Sequence, residues 1–67
     1  MNVFYKLTNK ANNGQLIKEE NPSGREFRYD NGEWVRTSVL MDYLNPYGRF
    51  FDQYKVLTEE QALAEIA

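Results

Sequence analysis

The chain contains neither cysteine nor histidine. Without cysteine no disulfide can staple it, and no thiolate can attack a substrate or hold a metal. Without histidine it lacks the side chain most used for acid–base work near neutral pH and the commonest metal ligand. A basic excess is missing as well. Eight Lys and Arg stand against ten Asp and Glu, a net charge of −2. Nucleic-acid binders usually show a basic excess or a clustered stripe, whereas Lys6, Lys10, Lys18, Arg25, Arg28, Arg36, Arg49 and Lys55 are spread along the chain. No apolar run approaches the roughly 18 residues a membrane-spanning helix needs. Met1 to Lys6 lacks a charged stretch followed by an apolar one, so no secretory leader is expected. Asn2 excludes N-myristoylation, and Asn21-Pro22-Ser23 carries Pro where a glycosylation site forbids it. These absences lead to the expectation of a soluble, cytoplasmic, non-enzymatic protein without membrane contact, metal or cofactor.

What is present is an aromatic surplus, 15% of 67 residues. The length allows one domain, residues 1–67, with a small core. A chain of this size buries only about 60% of its unfolded surface. In size and general look it is compatible with small bacterial or phage proteins, a likeness that carries no functional residue.

Alternation marks Val3 to Thr8 as a strand, with Val3, Tyr5 and Leu7 on one face. Asn13-Gly14 turns the chain, and Gln15 to Glu19 returns as a weaker strand. Asn21-Pro22-Ser23-Gly24 is a loop, because Pro and Gly interrupt pairing. The strongest local signal is Asn31-Gly32 between Glu26–Asp30 and Glu33–Thr37. A two-residue Asn-Gly loop favours a type I′ hairpin turn. The predicted register sets Asp30 opposite Glu33, Tyr29 opposite Trp34, Arg28 opposite Val35 and Phe27 opposite Arg36. Phe27, Tyr29 and Trp34 then share one face, expected to be the core face, and the charged face is expected to meet water.

Ser38 could cap a short helix running to Leu44, stopped by Asn45-Pro46; the alternative is that the strand from Trp34 runs on through this segment, and the helix is preferred because Leu and Met favour it. Phe50 to Leu57 reads as a last strand. Thr58 and Gln61 form a capping-box pair at the start of a C-terminal helix whose buried stripe would be Ala62, Leu63 and Ile66. The expected fold is α+β. It is a small, mostly antiparallel sheet of four to five strands packed by the C-terminal helix, with a core of Phe27, Tyr29, Trp34, Tyr5, Val56, Leu63 and Ile66.

The chemistry available is narrow. Asp30-Asn31-Gly32-Glu33 has a superficial likeness to a calcium loop, but the hairpin accounts for each of its residues. Ser23 and Ser38 have no histidine to activate them. Glu26, Asp30, Glu33, Asp42 and Asp52 could pair as catalytic acids, yet solvated surface charge is the better reading for so small a chain.

Between Tyr43 and Tyr54, five aromatics crowd twelve residues: Tyr43, Tyr47, Phe50, Phe51 and Tyr54. A small core cannot easily take every ring, since each buries about 150–250 Å². With Arg49 among them, these six positions form the expected partner-binding patch, since Tyr and Arg are enriched at binding hot spots. The competing reading has Tyr43, Phe50 and Tyr54 closing the core and Tyr47 covering a turn. The leading functional expectation is a protein-interaction module. One alternative is single-stranded nucleic-acid binding through exposed aromatics with Lys6, Arg28, Arg49 and Lys55, which the acidic balance disfavours. The other is a self-associating subunit, a homodimer pairing through Val3–Thr8 or Gln15–Glu19 as a sheet edge.

Overall fold

The computed structural model describes residues 1–67. Five strands, β1 (Asn2–Leu7), β2 (Leu16–Glu20), β3 (Arg25–Asp30), β4 (Glu33–Thr37) and β5 (Tyr54–Leu57), form one sheet in the order β4-β3-β2-β1-β5. Every neighbouring pair is antiparallel. Helix α1 (Leu40–Leu44) lies between β4 and β5, and α2 (Glu59–Ile66) closes the chain. The fold is therefore α+β, an open antiparallel sheet with the C-terminal helix packed on it.

The hairpin register is as the turn predicts: Phe27 opposite Arg36, Arg28 opposite Val35, Tyr29 opposite Trp34 and Asp30 opposite Glu33. Asn31 and Gly32 both take positive φ, 49° and 84°, as a type I′ turn requires. Directly opposed residues share a face of the sheet, so the ladders sort every strand residue. On the first face Val35, Arg28, Ile17, Tyr5 and Val56 form a row across all five strands. On the second, Arg36, Phe27, Lys18, Phe4 and Leu57 do the same.

The core lies at β1 and β2 instead of the β3–β4 hairpin. Tyr5, Leu7 and Ile17 on the first face are buried with Leu40 and Tyr43 of α1, and Val3, Val39, Phe50 and Tyr54 pack around them. On the second face α2 lies on β1 and β5, burying Ala62 together with Phe4 and Leu16. Both faces of β1 and β2 are thus covered where they cross the core, and consecutive residues, Phe4-Tyr5 and Leu16-Ile17, are buried together.

Several expectations are corrected. Of the expected core only Tyr5 is buried. Phe27, Tyr29, Trp34 and Ile66 are half-buried, because α2 covers the β1–β5 end and leaves the hairpin end open. Val56 is 62% exposed, since it lies on an edge strand, and Leu63, 49% exposed, faces away from the sheet that Ala62 meets. The strands expected as edges, β1 and β2, are interior, and the edges are β4 and β5. The last strand begins at Tyr54; Phe50 to Asp52 form a turn tied to α1, with Phe50 N–H donating to Asp42 O at 3.0 Å and Asp52 N–H to Tyr43 O at 3.0 Å. Ser38 is not the cap of α1. The flanking residue is Val39, and Glu26 Oε1 accepts the Leu40 N–H at 3.0 Å across from β3.

Candidate functional surface on α1 and its loop

The segment singled out for its aromatics separates into supports and exposed groups. Tyr43 is a support, 1% exposed. Its hydroxyl donates to Asn9 Oδ1 at 2.7 Å and accepts from Asn12 Nδ2 at 3.1 Å, fastening α1 to the β1–β2 connection. Phe50 is half-buried against Tyr43, ring centroids 5.4 Å apart, and Tyr54 meets Tyr5 edge to face at 5.5 Å. The Arg49 guanidinium lies 5.4 Å from the Phe50 ring centre and pairs with Asp42 at 3.5 Å. Of the six expected patch residues, Tyr43 is sealed from partners and Phe50 and Tyr54 mainly close the core. Arg49, Tyr47 and Phe51 face solvent.

Sequence reasoning passed over two further members. Met41 is 72% exposed and Leu44 also reaches the surface. They sit three residues apart on α1 and so share a helix face. That spacing was readable, but the same residues suited a core stripe equally well. With Leu40, Asn45, Pro46 and Glu26 they line a groove of about 510 Å³. Tyr47, 96% exposed, stands beside Pro46.

The loop that carries these groups is fixed. Asn45 Oδ1 accepts the Tyr47 N–H at 2.9 Å, and Asn45 O accepts the Gly48 N–H at 2.8 Å. A Cβ at Gly48 would overlap the Asp42 carbonyl group, so the loop presses directly on α1.

Three of the five acids considered as catalytic pairs have structural partners. Glu26 takes the Leu40 N–H, Asp30 pairs with Arg28 at 3.1 Å, and Asp42 pairs with Arg49. The Ser23 hydroxyl donates to Glu20 O at 3.3 Å and accepts from Arg25, which orders the β2–β3 loop. The cations expected to hold a nucleic-acid backbone do not converge. Lys6 and Lys55 oppose each other on the second face, Arg28 is on the first, and Arg49 is on the loop after α1.

Comparison of this chain with protein-family models, with curated proteins and with solved structures returns no match.

Proposed function

We propose that this chain is a small non-enzymatic docking module. It holds a protein segment against α1 and its loop through Met41, Leu44, Pro46, Tyr47 and Phe51. The observation that carries this reading is the contrast between exposure and rigidity. Large apolar groups stand in solvent on a loop tied by backbone hydrogen bonds and by the buried Tyr43. A backbone already ordered before binding loses little conformational freedom on it, so less of the binding energy is lost to ordering. The surroundings are acidic: Glu19, Glu26, Asp30 and Glu33 all fall on the α1 face of the sheet. The fitting partner is a segment with apolar anchors flanked by Lys or Arg. A cytoplasmic setting accords with the absence of cysteine.

The test is selection from a displayed random-peptide library, followed by binding to Met41→Ser and Tyr47→Ala proteins. The expected peptides are apolar with basic flanks, and both variants lose them while keeping the wild-type melting temperature. Peptides that bind the variants as tightly as the wild type would remove the proposal. Unfolding of both variants would do the same, by making these residues part of the core. Sedimentation across a hundredfold dilution provides the check on self-association. A dimer that dissociates in Tyr47→Ala would make the partner a second copy.

A further inference from the structure

The ladders separate charge by sheet face. Among strand residues the α1 face carries Glu19, Glu26, Asp30 and Glu33 with Arg28 alone opposing them. The opposite face carries Lys6, Lys18, Arg25, Arg36 and Lys55 with Glu20 alone. Beneath a net charge of −2, the strand residues of the two faces therefore carry opposite signs.

On that basic face α2 covers the β1–β5 end and brings Glu65 onto Lys6. Glu59 and Glu60 also belong to this helix. The β3–β4 end is half-open, with the C-terminal Glu65, Ile66 and Ala67 reaching only a cleft shared with Tyr29, and there cations and rings alternate. Arg36 lies 5.6 Å from the Phe27 ring centre. The Lys18 ammonium lies 5.1 Å from Phe27 and 4.7 Å from Trp34. Tyr29 meets Trp34 edge to face at 5.1 Å, and the Phe4 ring lies tilted beside Trp34, centroids 6.1 Å apart. Glu20 is occupied by Arg25 at 3.3 Å, whereas Lys18 and Arg36 have no carboxylate partner.

We infer that this half-open face, Lys18, Phe27, Tyr29, Trp34 and Arg36, binds single-stranded nucleic acid. Rings interleaved with Lys18 and Arg36, two cations without a carboxylate partner, match a ligand that alternates flat bases with phosphates, since bases stack on aromatic faces while Lys and Arg follow the backbone. Cations alone would suit any polyanion; the rings select for bases. The face lies on the other side of the sheet from the docking surface, so neither proposal depends on the other.

Trp34 is the chain's one tryptophan and sits in the platform, so its fluorescence reports occupancy directly. The full chain is titrated at low salt with an unstructured oligonucleotide of about 12 nucleotides, within the span one small binding fold covers. The expected result is saturable quenching at micromolar concentrations. The logarithm of affinity should fall with the logarithm of salt, by about 0.7 for each phosphate contacted. Arg36→Glu, at an exposed position, weakens binding about tenfold and lowers that slope. Phe27→Leu, which keeps an apolar group in the row, weakens binding but leaves the slope unchanged, as loss of stacking requires. Circular dichroism confirms that both variants fold. Absence of quenching up to tens of micromolar overturns the inference. So does binding to heparin or to anionic vesicles that equals oligonucleotide binding and is indifferent to Phe27→Leu, because the face would then recognise charge alone.

Discussion

Tyr5 shows how much one side chain is asked to do at the centre of this sheet. Its ring is buried against Tyr54 and Ile17, and its hydroxyl donates to Glu19 Oε1 at 3.2 Å. Burial first, and then the neighbouring Glu19 charge and hydrogen bond, push its pKa from 10.0 up to about 12. The unfolded chain releases this proton near its ordinary value, while the folded chain holds it longer. The stability it contributes is therefore complete below pH 10 and is lost as pH rises from about 10 to about 12. Urea midpoints measured across that window should fall, and the fall should be shallower in Tyr5→Phe, which has no proton to lose. Glu19→Gln should narrow the window by removing the charge. A Tyr5→Phe protein with the same alkaline decline as wild type would assign the effect to other groups.

At the scale of elements, local chemistry explains the parts that needed no tertiary help. The hairpin follows from Asn31-Gly32, whose positive φ angles set the register of both strands. The start of α2 follows from Thr58. Its side chain accepts the Gln61 N–H at 3.1 Å while Gln61 Oε1 accepts the Thr58 N–H at 2.9 Å. An eight-residue helix is marginal alone, so this cap and the Ala62 contact hold it together. Thr58→Ala should lower global stability by about 1 kcal/mol, read by denaturation, with a matching loss of helical ellipticity. A neutral result would mean that packing alone defines the helix start. The start of α1 is the opposite case. Glu26 reaches it from β3, a contact separated by fourteen residues that no local pattern announces.

For the whole molecule, the centre of stability is the β1–β2 pair, covered on both faces. Hydrogen exchange should be slowest at Tyr5, Leu7 and Ile17 and faster through β4 and β5, which lie at the sheet edges. Slowest exchange in the β3–β4 hairpin would return the core to the aromatic face that sequence reasoning favoured. The same scale decides surface character. The two faces differ in charge because antiparallel pairing brings Lys18 beside Phe27 and Phe4, and Glu19 beside Glu26 and Val3. Neither neighbour set is adjacent in sequence.

While the segment from Ser38 to Leu44 reads as helix or strand until Glu26 of β3 is seen to hold the start of α1, pattern alone was enough for an α+β chain of one sheet, the hairpin with its register and the capped C-terminal helix. Each depends on interactions spanning a few residues, which composition and spacing encode directly. Which face would be buried was not legible. Alternation says which side chains share a face and is silent on what will cover it. A signal was present in Phe4-Tyr5 and Leu16-Ile17, adjacent apolar pairs that a strand covered on both faces can accommodate. The tertiary structure settled the matter by laying α1 on one face and α2 on the other at the β1–β2 centre. That placement sealed Tyr43, left Met41 and Tyr47 in solvent, and kept Phe27 and Trp34 half-open beside unpaired Lys18 and Arg36. The candidate surfaces follow from where the covering helices end, a property of the whole chain's packing.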